Sequence, residues 1–160
     1  MRYFFAFIFL LLIFIFPQRA YADVDFLTVW HHEISCNGDV RLVSYGITIP
    51  PWFSIEQRAL IIFSQALDGT KIFAPNDVKV FDAFFFEDYA HLVVNFSSDI
   101  LNYGGTYFEY RLVEKLLANA AGMPDVAVFS ILIEWQTGLL PEGTLLCGMD
   151  VVFAKGFSAD

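Results

Sequence analysis

Residues 40–49, VRLVSYGITI, alternate along the chain and are rich in β-branched side chains until Pro50-Pro51 ends the run. A period of two puts one set of side chains on each face of an extended backbone, so this stretch predicts a strand followed by a connection. After Ser54 the period changes. Ile55, Ala59, Ile62, Phe63 and Ala66 recur at spacings of three and four, the stripe of an amphipathic helix. Ser54-Ile-Glu-Gln57 has the pattern of a capping box, and Gly69 offers a left-handed stop, so a helix is expected over about 54–68.

Pro75-Asn76-Asp77 marks a turn, and two β-rich runs follow at 78–87 and 90–97, separated by the polar Glu87-Asp88-Tyr89. They read as a hairpin. The alternation in the first run is imperfect: Val78, Val80, Asp82, Phe84 and Phe86 fall on one side, Lys79, Phe81, Ala83 and Phe85 on the other, and its buried face stays open. Asn102-Tyr103-Gly104-Gly105 breaks the pattern. Thr106 then reads as a helix cap with Glu109 reaching back to it, and Phe108, Leu112, Val113, Leu116, Leu117 and Ala120 form the apolar stripe. Glu109, Arg111, Glu114 and Lys115 lie mostly off that stripe, and Gly122 with Pro124 ends the helix, expected over 106–121. A further strand is predicted at 126–134, a turn at Leu140–Thr144 and a last apolar segment around 149–153. The order strand, helix, strand, strand, helix, strand predicts an α+β two-layer sandwich, with two helices packed on one face of a mixed sheet.

The N-terminus departs from this globular pattern. Arg2 precedes an unbroken apolar run, Tyr3–Phe16, which leads to Pro17 and the small-residue pattern Ala20-Tyr21-Ala22. This is the layout of a secretory signal peptide, residues 1–22, with cleavage expected after Ala22. The run is short of the roughly 20 residues that span a bilayer as a helix, so a retained anchor is the weaker reading and no stable membrane insertion is expected after cleavage. Residues 23–39 read either as an ordered arm or as an extra strand, ahead of a single domain over 40–160. Arg2 and Arg19 leave with the leader, so seven basic residues face eighteen acidic ones and the net charge becomes about −11. Nucleic acid is thereby excluded as a partner, since phosphate binding needs a basic footprint. Cys36 and Cys147 both remain in an exported chain, where a disulfide can persist; a Cys36–Cys147 bridge and two separate buried thiols are both open readings.

Several segments resemble the GerMN domain, known from sporulation and germination proteins and other exported bacterial proteins. They are HLVVNFSSDI at His91–Ile100, Gly104-Gly105 with Glu109, the helix through Leu117, Pro124-Asp125-Val126 leading to Ile131–Gln136, and Leu140-Pro-Glu-Gly-Thr144. The resemblance runs from about Ile55 to Thr144. Where the family often places a Gly shortly after the strand, this chain has Glu134-Trp135-Gln136. The resemblance implies an exported domain similar to ring-building modules, acting by association, and it brings no catalytic residues.

The remaining candidates for chemistry are sparse. His31, His32, Glu33 and Cys36 form the only cluster of metal-ligand types, but adjacent histidines on a strand point to opposite sides and H-E-x-x-H spacing is missing. His91 stands alone and reads as a hydrogen-bonded structural residue. Glu87-Asp88 would suit glycan hydrolysis only if a fixed gap held two carboxyls, whereas acidic residues are ordinary in a turn. Ser97 and Ser98 lack a nucleophile elbow, with Ser98 reading as a cap, and Gly104-Gly105 serves helix entry more readily than anion binding. No catalytic residue, metal or cofactor is assigned. The expected function is a non-enzymatic, extracytoplasmic interaction module whose partner is an envelope protein or another copy of itself; the alternative is a cell-wall or small-ligand binding accessory, hydrolytic or not.

Overall fold

The structure, a computed structural model, describes residues 24–151. The expected leader, 1–22, and residues 152–153 of the last apolar segment lie outside the described residues. The element order is β1 (Asp25–Ile34), β2 (Val40–Ile49), α1 (Ile55–Ala66), β3 (Val80–Phe86), β4 (His91–Phe96), α2 (Thr106–Ala121), β5 (Val128–Ile133), β6 (Gln136–Thr137) and β7 (Met149–Asp150). The α+β class and the order of the central elements agree with the periodicity.

Five strands make one mixed sheet in the order β3-β4-β5-β6, with β7 also pairing β5. β3 and β4 are an antiparallel hairpin, and β4 lies parallel to β5 with His91 opposite Val128 and Phe96 opposite Ile133. A parallel neighbour requires a crossover, and α2 is that crossover. Both helices contribute to one buried cluster with the inner face of this sheet. At its centre Phe63 of α1 stacks on Phe129 at 5.4 Å and meets Phe96 edge-on at 5.8 Å.

The strand at 40–49 lies outside this sheet. It pairs with β1 over ten residues without a register shift, forming a separate two-stranded sheet whose β1 side contacts both helices. Leu27 and Val29 of β1 are buried there. Arg58, buried in α1, ties the hairpin to the helix: it donates to Asp25 Oδ2 at 2.6 Å and to the carbonyls of Pro51 and Phe53.

A bulge between Val80 and Asp82 resolves the face of β3. It shifts the alternation by one, so Val80 packs on the core before it and Ala83 and Phe85 after it, leaving Phe81 outside.

The helix ends refine the expectations. Ser54 forms its capping box with Gln57 in both directions, but α1 stops at Leu67, whose amide bonds Phe63 O, and Gly69 supplies no positive φ. The cap of α2 is Gly105, at φ 95, not Thr106, and Glu109 does not fold back on it. Glu109 and Lys115, expected off the apolar stripe, are both buried.

Candidate interaction surfaces

β4 sends Leu92, Val94 and Phe96 towards the helices, all fully buried, so His91, Val93 and Asn95 occupy the opposite face of the sheet. Register places Phe84 beside Val93 and Phe86 beside His91 on that outer face. There Phe84 is 37% and Phe86 52% exposed, and Trp135, at 58%, stands 6.1 Å from the Phe84 ring. These rings form an apolar ledge at the β3 and β6 ends of the outer face.

Trp135 is presented by a strained turn. Ile133 pairs with Gln136, leaving Glu134 and Trp135 as the two turn residues, at φ 50 and 68. Two-residue hairpins with both φ values positive favour Asn and Gly, and bulky residues there cost about 1–3 kcal/mol each. Three bonds hold the turn: Glu134 N donates to Phe96 O at 3.0 Å, Ser98 N to Glu134 Oε1 at 2.9 Å, and Trp135 N to Asn95 Oδ1 at 3.0 Å. Asn95 is fully buried, and its Nδ2 has no partner. The departure from Gly noted in the sequence is therefore a departure towards an exposed indole on a tense backbone.

The Gly-Gly and Leu-Pro-Glu-Gly-Thr segments meet at a reciprocal carboxylate latch. Glu142 Oε1 accepts from Gly105 N at 3.0 Å and Oε2 from the Thr106 hydroxyl at 3.4 Å, satisfying the start of α2 from a distant loop. Glu109, 2% exposed, returns the favour by accepting from Glu142 N at 2.7 Å, Thr144 N at 3.0 Å and the Tyr103 hydroxyl at 2.9 Å. Burial opposes the Glu109 charge, but these donors outweigh it and hold its pKa below the usual range. Burial, with the Glu109 carboxylate beside it, raises the Tyr103 pKa. The latch is structural: every polar atom of the Glu109 carboxylate is spent on the chain itself.

Two polar residues of α2, unassigned by periodicity, fasten the hairpin and the 67–79 connection. Asn119, fully buried, accepts from Trp30 N at 2.9 Å and donates to Trp30 O and Lys115 O, each at 2.8 Å. Lys115, also fully buried, donates to Ile72 O at 2.8 Å and Phe73 O at 3.0 Å, and burial lowers its pKa to about 7. The available signal was a polar residue in phase with the apolar stripe: Lys115 and Asn119 follow Phe108 and Leu112 at spacings of three and four.

The remaining sequence candidates are dispersed. His31 bonds Glu33 at 3.1 Å and His32 bonds Glu114 at 3.0 Å, and both imidazoles are buried on β1, the extra strand of the two readings for this segment. Among the described residues no three His, Cys, Asp or Glu side chains gather around a common point for a metal. Cys36 and Cys147 are both free and exposed in the structure, so they are not buried thiols. His91 bonds Ser130 Oγ at 2.8 Å, and Ser130 also accepts from Gly148 N at 2.7 Å, joining β4, β5 and the C-terminal segment. Glu87 and Asp88 lie on an exposed 3-10 turn. Ser97, not Ser98, stands at the cap position of the next 3-10 turn; its hydroxyl donates to Asp99 and accepts from Lys79 N. Among the described residues no helix is long and apolar enough to cross a membrane.

A mixed sheet covered by helices on one face, with an aromatic ledge on the other, defines an α+β domain. In particular, its fold is that of the GerMN domain. The chain is similar to the tandem GerMN domains of the sporulation protein GerM from Bacillus subtilis, with a TM-score of 0.58 and 12% identity, over 79% of this chain and 45% of that one. It thus spans less than half the length of that structure. The first GerMN domain of the same protein matches with a TM-score of 0.48 and 18% identity over 76% of this chain and 96% of that one. No protein-family model matches the sequence, and no curated protein does.

Proposed function

We propose that the chain is an exported, non-enzymatic assembly module of the bacterial cell envelope, of the sporulation or germination type, which docks on an envelope protein or on copies of itself. The observation that carries this reading is the ledge of Trp135, Phe84 and Phe86, with its indole kept exposed at a cost in backbone strain. Folding alone would favour Gly at Trp135, so the residue answers to something outside the monomer. Several exposed rings on one sheet face are what a partner buries. The apolar leader supports export, the small-residue pattern Ala20-Tyr21-Ala22 supports cleavage and release from the membrane, and the acidic balance argues against nucleic acid. Hydrolysis gains no support from Glu87 and Asp88, which lie next to one another on an exposed 3-10 turn.

The test replaces Trp135 with Gly in the full chain and follows association of the exported product by light scattering and by saturable binding to solubilised envelope proteins. Association weakened at least tenfold, with folding stability unchanged or raised by about 1 kcal/mol, is expected. Association indifferent to Trp135→Gly and Phe84→Ser, or turnover of cell-wall glycan abolished by Glu87→Gln, overturns the reading.

A further inference from the structure

The β1–β2 hairpin has two edges, and the rest of the described chain covers part of only one of them. Trp30 N and O both bond Asn119, so they point away from β2. In an antiparallel ladder such groups alternate in direction, so Phe26, Thr28, Trp30, His32 and Ile34 direct their amides and carbonyls to the outer edge of β1. That edge is occupied by Asn119 at Trp30 and by Ile72, which bridges to His32.

The same alternation fixes the far edge. The partners of those five residues are Thr48, Gly46, Ser44, Leu42 and Val40, so these direct their amides and carbonyls outward from β2. Among the described residues none of these outward groups finds a partner in the chain. The strand is ten residues long, runs without a bulge, and contains no Pro and no carboxylate; Arg41 is its single charge. Soluble proteins ordinarily blunt a long edge with charge, Pro or a bulge, and this one is left bare.

We infer that β2 pairs antiparallel with β2 of a second copy about a two-fold axis through Ser44, joining two hairpins into a continuous four-stranded sheet. The outward residues are symmetric about that centre. Ser44 would face Ser44, Val40 would face Thr48, and Leu42 would face Gly46, where nothing lies within 4 Å of an added Cβ and the leucine has room. Every outward group would then be used, in about ten inter-strand bonds. Charge favours this strand as the meeting place. The chain has a net charge of −9, so two copies repel over most of their surfaces, whereas β2 brings no carboxylate to the contact. The two Arg41 side chains stay about 20 Å apart, six positions along the strand. This inference rests on the assembly reading above and names one of its contacts.

The experiment uses the full chain, exported and purified, with Cys36 and Cys147 replaced by Ser. Ser44→Cys places two thiols across the axis, with Cα atoms about 5.5 Å apart, within reach of a disulfide or a short bis-thiol reagent. Mild oxidation is expected to give a covalent dimer at least tenfold faster than for Thr28→Cys, an exposed position on β1, and the mass of the unmodified chain is expected to rise with concentration. Ser44→Lys, which sets two like charges across the axis, is expected to leave the monomer folded and weaken dimerisation at least tenfold. Equal cross-linking at Ser44 and Thr28, or dimerisation unaffected by Ser44→Lys, overturns the pairing. If Trp135→Gly still weakens association at least tenfold in that case, the assembly reading stands and the β2 contact alone falls. A strict monomer that binds a saturable envelope partner has the same meaning, and a strict monomer with no partner defeats both.

Discussion

Replacing Glu109 with Ala removes one buried carboxylate and strands three donors at once: Glu142 N, Thr144 N and the Tyr103 hydroxyl. Hydrogen bonds to a charged group contribute about 1.5–3 kcal/mol each, and such losses within one network are less than additive, so the expected cost is about 3–5 kcal/mol. For a domain of this size that lowers Tm by roughly 10–20 °C. Glu109→Gln separates shape from charge. Its oxygen can replace Oε2 and keep the bonds from Tyr103 and Glu142, but its amide then faces the Thr144 N–H, donor against donor. The expected cost is about 1–3 kcal/mol. Urea unfolding followed by circular dichroism gives both values, and hydrogen exchange locates them: amides of Glu142 and Thr144 should exchange faster in both variants, before those of β4. A loss under 1 kcal/mol for Glu109→Ala, or unchanged exchange at Glu142 and Thr144, would refute the latch.

The fold should weaken on the acid side from about pH 6.5 downward. Burial lowers the pKa values of His32 and His91, so the unfolded chain takes up protons first as pH falls through 6.5. Glu114, Arg111 and Lys115 face His32, and of these only the Glu114 carboxylate offsets the burial. Below about 4.5 the loss should steepen, because Glu109 and Glu114 have lowered folded pKa values and their stabilising charge goes as they are protonated. On the alkaline side Lys115, at about 7 in the fold against 10.5 unfolded, penalises folding at neutral pH, and the penalty lifts as pH rises between those values. The full difference is at most about 5 kcal/mol. Urea titrations from pH 4 to 9.5 should show both slopes, with the alkaline gain absent in Lys115→Met; a flat wild-type profile above pH 7 contradicts the burial argument. Asn119→Ala, which leaves Trp30 N and O without partners, should cost about 2–4 kcal/mol and speed exchange of the Trp30 amide, and a change under 1 kcal/mol would count against the edge closure.

Local periodicity determined a good deal by itself. The helix at 106–121 was legible to the residue, because six apolar positions at helical spacing lie between a Gly-Gly entry and a Gly exit. The capping box at Ser54 and the hairpin around Glu87-Asp88-Tyr89 were legible for the same reason: their signals lie within a few residues of where they act. Tertiary structure decided whatever depends on a distant partner. Glu109 looked like a local cap, but its acceptors serve residues 33 and 35 positions away, and that longer reach buries it. Asn119 finds Trp30 across 89 residues, and Lys115 finds Ile72 across 43, so helical spacing can turn both inward but names neither partner. The strand at 40–49 was evident, yet its sheet was not, because alternation specifies a face and not a neighbour. The bulge at Phe81 and the paired positive φ values at Glu134 and Trp135 belong to the same class. The first follows from strand register; the second is a conformation that Glu134 and Trp135 themselves disfavour, held by bonds to Asn95, Phe96 and Ser98.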